Sequence, residues 1–165
     1  MKRITSFLLG SLFCSAVVAD DNLLLDVNGY SWHSRDIYTS GGMSREYNSM
    51  NTGLGLTKQV SNHVDVSAGV YENSYYKTSV YGCANFHLNF GGGALIVRPG
   101  VSVGIVTGYD NTPDNTGVVR PIVLPSLVAS FNDFGVRFGF VPPFPRSGGG
   151  STVAVVTVQF QYRVD

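Results

Sequence analysis

Charge is scarce in this chain. Of 165 residues, 11 are Lys or Arg and 11 are Asp or Glu, or 13% in all, against roughly a quarter in ordinary soluble domains. The two signs cancel and no basic tract gathers, which argues against nucleic acid as a partner. Cysteine is scarcer still: Cys14 and Cys83 are the two in the chain. Cys14 lies in a segment expected to be removed, so no intramolecular disulfide is available to the remainder. The histidines and carboxylates nowhere stand at metal-ligand spacing, so no metal is expected, and no cofactor. No apolar run is long enough for a membrane helix. Any membrane span must therefore be built from strands.

What is present begins with a basic, then apolar, N-terminus. Lys2 and Arg3 precede Phe7-Leu-Leu-Gly-Ser-Leu-Phe13, and Ala16-Val-Val-Ala19 supplies small residues for cleavage. Residues 1–19 read as a secretory signal peptide, and 20–165 as one domain. Phe13 is too bulky for the small residue that lipid-modifying processing needs before Cys14.

The rest alternates with period two, the pattern of strands that divide two environments. Residues 23–27 form a first strand whose parity shifts at Gly29, after which Tyr30 and Trp32 carry the apolar face and Ser31 and His33 the other. A glycine at such a shift marks a bulge. Residues 34–50 are polar and read as a long loop. Residues 51–60, 64–71, 78–90, 94–109, 118–131, 134–140 and 151–164 repeat the alternation, with tight turns at Asn62-His63, Gly91-Gly-Gly93 and Asn132-Asp133. Residues 110–117 and 146–150 read as further loops.

Eight strands, with short turns at one end and longer loops at the other, predict an all-β, eight-stranded antiparallel up-and-down transmembrane β-barrel. Its lumen would be just wide enough for side chains or one slim ligand. A soluble barrel of lipocalin type would reverse the faces and carry charge outside. The near absence of charge on the apolar faces of residues 134–140 and 154–162 favours the membrane form. The expected setting is the bacterial outer membrane, as a monomer.

Prolines interrupt the wall. Pro121 and Pro125 in one strand face Pro142 and Pro143 at the end of the next. Proline gives no ladder hydrogen bond, and a closed barrel has no edge to hide it on. Two outcomes are open: the strands stop early, or a lateral port lets a lipid chain pass from bilayer to lumen.

Several short motifs recur in an order that resembles the PagP family of outer-membrane lipid A palmitoyltransferases. Ser31-Trp32-His33-Ser34-Arg35 resembles the family's Thr-Trp-His-Ala-Arg. Tyr47-Asn48 followed by Gly53-Leu54-Gly55-Leu56 resembles its Tyr-Asn and Gly-Phe-Gly-Leu. Tyr71-Glu72-Asn73-Ser74-Tyr75 falls where it has Phe-Lys-Asp-Ser-Trp. Tyr81-Gly82, Phe86-His87-Leu88 and Pro121…Leu124-Pro125 match further short segments. The resemblance implies an eight-stranded barrel whose lumen holds one acyl chain, and transfer of palmitate from a phospholipid donor to a lipid A acceptor. It implies catalytic roles for His33 and Ser74, with Asn73 in the place of an aspartate. It also implies a substrate-binding surface at Tyr81, Gly82, Pro121, Pro125, Pro142 and Pro143, with Gly82 at the pocket floor.

Two departures follow from the residues themselves. Asn73 carries no charge to offer a histidine, and neighbouring Glu72 could substitute only if the strand end is irregular. Strand parity puts Gly82 on the lipid-facing side, and Asn73 and Ser74 on opposite faces unless regular pleating has ended. Acyl transfer needs a hydroxyl, a base and a group to hold the oxyanion, and Ser74 with His33 is the economical pair. The plainer roles are an interfacial histidine beside Trp32 and turn chemistry for Asn73 and Ser74. The alternative function is a non-catalytic small outer-membrane barrel acting through its surface loops.

Overall fold

A computed structural model describes residues 22–40, 42–110, 118–143 and 152–164. The expected signal peptide, Pro145 and the two loops over 111–117 and 146–150 lie outside the described residues. The described residues form eleven strands: β1 (Leu23–His33), β2 (Ile37–Ser40), β3 (Met43–Glu46), β4 (Met50–Ser61), β5 (Val64–Glu72), β6 (Thr78–His87), β7 (Phe90–Gly92), β8 (Leu95–Thr107), β9 (Val119–Phe131), β10 (Phe134–Val141) and β11 (Val155–Val164). Eight of them form a ring of antiparallel neighbours in the order β1-β4-β5-β6-β8-β9-β10-β11, with β1 pairing back onto β11. β7 is a short continuation that pairs with the start of β8. β2 and β3 form a separate hairpin within residues 34–50, where the polar composition alone reads as loop.

The two faces sort as their alternation requires. Side chains such as Val27, Trp32, Val70, Val80, Phe86, Ile105, Val123, Phe134, Phe160 and Tyr162 point outward and are exposed on the described surface. Asp26, Ser31, Thr57, Asp65, Ser67, Asn85, His87, Arg98, Ser102, Arg137 and Gln161 point inward and are buried. Water could not tolerate that outer surface, but a bilayer matches it. Seven of the eight ring strands have the nine or more residues that cross the hydrocarbon layer when tilted, and β10 has eight. Gly29 is the bulge: register slips between Asn28 and Tyr30 in both ladders of β1, so Ser31 and His33 face the lumen while Tyr30 and Trp32 face out.

Trp32, the single tryptophan, lies edge-on to Tyr30 with ring centroids 4.8 Å apart and is 54% exposed. Such pairs sit at bilayer interfaces. In vesicles its fluorescence is therefore expected to be quenched by brominated lipid chains and spared by aqueous iodide. The opposite pattern would place the wall in water.

The lumen is divided along its length. At the short-turn end it is packed with polar side chains. Asp26 accepts hydrogen bonds from Thr57 Oγ1 at 2.6 Å and Gln161 Nε2 at 2.8 Å. The Asp65 carboxylate lies 3.2 Å from His87 Nε2 and 3.8 Å from Arg137 Nη2. His63 contributes from the turn, its Nδ1 lying 3.1 Å from the His87 carbonyl. Towards the long-loop end the packing loosens into a cavity.

Candidate functional site

The site lies at the long-loop end and begins with the way β5 stops. Regular pairing of β5 ends at Glu72 opposite Thr78, and residues 73–77 form a tight connection to β6. Asn73 builds it. Its Oδ1 accepts hydrogen bonds from the backbone N–H of Tyr75 at 2.8 Å and of Lys77 at 3.1 Å. Its Nδ2 donates to Ser79 Oγ at 3.0 Å and to the Gly108 carbonyl at 2.8 Å. Asn and Asp hold turns by such side-chain to backbone bonds, and Tyr76 takes the left-handed φ of 59° that the reversal needs. The end of pleating releases Ser74 from the parity that would have sent it outward.

Ser74 consequently meets His33. His33 Nε2 lies 2.8 Å from Ser74 Oγ, hydrogen-bond distance for a nucleophile and its base. The imidazole is held flat against the Tyr47 ring, with centroids 4.5 Å apart and planes within 5°. Tyr47 packs with Tyr75 and Val153 in a small buried cluster, against which Tyr38 and Tyr109 rest. The β2–β3 hairpin thus backs the site through Tyr38, which packs against the Tyr47 and Tyr75 rings.

Asn48 locks the segment from the other side. Its Nδ2 donates to Glu72 Oε1 at 2.8 Å and to the Asn73 carbonyl at 3.3 Å, and its backbone N–H donates to the Ser74 carbonyl at 2.9 Å. Glu72 is therefore occupied with Asn48 rather than turned toward His33. Tyr47 and Asn48 are the positioning residues that composition and parity leave unassigned; the one sequence signal for them is their adjacency in the Tyr-Asn motif.

Asn73 is fully buried and its four polar contacts are all spent on the turn, so it positions Ser74 and does not orient His33. An aspartate there would present an oxygen to the Gly108 carbonyl in place of a donor. Asn73→Asp is expected to cost about 1–3 kcal/mol of stability and to leave any activity lower, measured by urea titration of the folded barrel. Equal stability would contradict this role.

The His33–Ser74 pair opens onto a cavity of about 230 Å³. Its upper wall carries Val106, Ile122, Val141 and Val155 among the lining residues. Tyr81 reaches across the lumen because Gly55 and Gly69 face each other on β4 and β5; a Cβ on either would strike its ring or hydroxyl. The hydroxyl accepts a hydrogen bond from Gln159 Nε2 at 3.0 Å, and the same nitrogen lies 2.8 Å from Asn28 Oδ1. Gly82 is elsewhere. A Cβ built on it meets nothing within 4 Å, and it pairs with Ala68 and Ile105 on the outward face. The floor role that the resemblance implies for Gly82 does not match this placement, which strand parity dictates.

The prolines border a seam. The β8–β9 ladder runs unbroken through Pro125 and Pro121 to Val119, whereas the β9–β10 ladder stops at Ser126 opposite Gly139. β10 runs on to Val141 paired only with β11, and Pro142 and Pro143 follow. A proline nitrogen has no hydrogen to give β10, so among the described residues the wall between β9 and β10 is unpaired beyond Ser126 and Gly139. Inside it, Arg120 lies 5.6 Å over the Tyr109 ring. Among the described residues, no group of three or more His, Cys, Asp or Glu could hold a metal ion, and Cys83 is a free thiol in the cavity wall.

No protein-family model and no curated protein sequence matches the chain. Among solved structures, it resembles a de novo designed transmembrane β-barrel, with a TM-score of 0.58 at 13% identity over 89% of this chain and 98% of that one. It also aligns with the N-terminal β-barrel domain of Pseudomonas aeruginosa OprF, with a TM-score of 0.43 at 16% identity over 86% of this chain and 98% of that one. The likeness to the designed barrel agrees with the ring of strands and the apolar exterior. The fold is a closed eight-stranded transmembrane barrel.

Proposed function

We propose that this chain is an outer-membrane acyltransferase of PagP type, moving an acyl chain from a phospholipid donor to a lipid A acceptor. One observation carries the reading: His33 Nε2 sits 2.8 Å from Ser74 Oγ at the mouth of an apolar cavity. In the reaction, Ser74 Oγ attacks the donor ester carbonyl as His33 Nε2 takes its proton, and the imidazolium returns that proton to the departing lysophospholipid oxygen. The acyl group on Ser74 then passes to an acceptor hydroxyl as His33 takes that hydroxyl's proton and returns it to the departing Ser74 Oγ. The unzipped β9–β10 seam beside Pro121, Pro125, Pro142 and Pro143 is the route by which the chain enters from the bilayer. The barrel needs neither metal nor cofactor for these steps and acts as a monomer.

The direct check is mass spectrometry of lipid A from Gram-negative cells with and without the protein. An added acyl group is the expected result. Unchanged lipid A, together with unchanged phospholipid turnover and a folded barrel in the membrane, would leave a barrel acting through its loops.

A further inference from the structure

The cavity ends abruptly, and what ends it is polar. The deepest lining side chains on most strands are Asn28, Ser67, Asn85, Ser102, Arg137 and Gln159. Beneath them lie the buried Asp26 and Asp65 clusters already described. A hydrocarbon chain pushed past this level would strip hydrogen bonds from buried polar groups without replacing them, which is costly. Hydrocarbon therefore stops here.

Register sets the depth. On β11, Val155 is opposite His33 and Gln159 is opposite Arg137, four residues further down. On β5, the lining residues Tyr71 and Ser67 span the same four-residue interval. At about 3.3 Å per residue and a strand tilt of about 40°, the site is roughly 10 Å deep. An extended chain advances roughly 3.5 Å per three bonds, or about 1.2 Å per bond. Eight bonds fill roughly 10 Å; the fifteen of a palmitoyl group need about 18 Å. The volume agrees, since 230 Å³ lies below the roughly 300–1,000 Å³ of pockets that hold drug-sized ligands.

We infer that the lumen beneath His33 and Ser74 takes a medium-length acyl chain of about nine carbons, with the Asn28–Gln159–Tyr81 hydrogen-bonded layer and Arg137 as its stop. This rests on the acyl-transfer reading for the ester at the chain's upper end, and it replaces the palmitoyl chain that the resemblance implies. The stop is made by residues on β1, β6, β10 and β11, not by Gly82.

Two measurements on the full-length barrel, held in a steroid-based detergent without alkyl chains, test it separately from the chemistry. The first offers phosphatidylcholines with paired eight-, ten-, twelve- or sixteen-carbon chains as donors to lipid A and follows lysophospholipid release. Eight- and ten-carbon donors are expected to be used at least tenfold faster than the sixteen-carbon donor. Gln159→Ala, which opens the layer, is expected to move the optimum upward by about two carbons. A sixteen-carbon donor used as fast as the short ones overturns the inference. The second asks whether octyl or hexadecyl maltoside shields Cys83 from N-ethylmaleimide, read on the peptide that contains Cys83. Octyl maltoside is expected to protect and hexadecyl maltoside to protect far less at equal free concentration. Selective protection with no turnover of any donor would sink the acyltransferase reading and leave the chain-length limit standing. Equal protection by both, or by neither, overturns the limit itself.

Discussion

If the proposed reaction holds, lipid A from cells expressing the Ser74→Ala variant is expected to lack the acyl group that the wild-type protein would add. Removing Oγ takes away the atom that accepts the acyl group, and a lost nucleophile costs several orders of magnitude in rate. His33→Gln keeps a polar side chain but cannot shuttle the proton, a loss of roughly 10²–10⁴-fold. The informative variant is the double one. Residues that act as one unit are strongly non-additive, so Ser74→Ala with His33→Gln is expected to be no slower than the worse single change. Independent, multiplying effects would mean that the 2.8 Å contact is a structural hydrogen bond at the rim. Heat-modifiable gel mobility establishes that each variant still forms the barrel. The variants are expected to pass, because both side chains sit at a cavity mouth and neither carries the packing of the lumen.

Asp65→Asn is expected to destabilise the barrel by about 3–5 kcal/mol, the cost of leaving buried charge without its partner. Asp65 is 2% exposed and faces His87 and Arg137, themselves 5% and 11% exposed at the side chain. Arg137 cannot give up its charge when the carboxylate is gone. The measurement is the urea midpoint of the folded barrel in lipid vesicles. Arg137→Gln in the Asp65→Asn background is expected to recover part of the loss, and the double-mutant cycle isolates the pairwise interaction. A midpoint unchanged in Asp65→Asn would mean that water reaches the cluster and screens it. The same cluster underlies the cavity floor, so its loss is also expected to loosen the limit on chain length.

The cluster makes sense of a feature that composition alone leaves puzzling. A chain so poor in charge places two aspartates, a histidine and two arginines inside the barrel. On a lipid-facing wall an ionised side chain costs several kcal/mol near the midplane, so the interior is where strand residues can keep charge. There Asp65 pairs with His87 and Arg137, Asp26 is held by Thr57 and Gln161, and together they plug one half of the lumen. The other half stays open beside His33, where polar contacts are fewer and valines and tyrosines line the space. Division into plug and cavity is what sets the site near one rim.

Much of the architecture was legible residue by residue. Alternation of Val64, Val66, Ala68 and Val70 with Asp65, Ser67 and Gly69 states which side of β5 meets lipid, since successive strand residues point to opposite faces. The parity shift at Gly29 marked a bulge, because one extra residue is the simplest way to exchange faces. Short turns and long loops ordered the two ends, and prolines on adjacent strands located the seam. The β2–β3 hairpin has no such signature, because its strands are too short and polar to show a period against their surroundings.

The residues around Tyr71–Tyr76 mark the boundary between what the sequence determined and what only the tertiary structure decided. Local pattern determined that a strand ends there among reactive side chains. It could not decide where those side chains point, since period two holds only while the pleat continues, and the pleat stops at Glu72. The turn that follows is held by Gly108 and Ser79, residues distant along the chain or across the next strand, which take up Asn73 Nδ2, while the backbone N–H groups of Tyr75 and Lys77 take up its Oδ1. Asn48 draws Glu72 away. What remains for His33, 41 residues earlier, is Ser74. Barrel closure brings these segments together, and closure is a property of all eight strands rather than of any stretch that could be read alone.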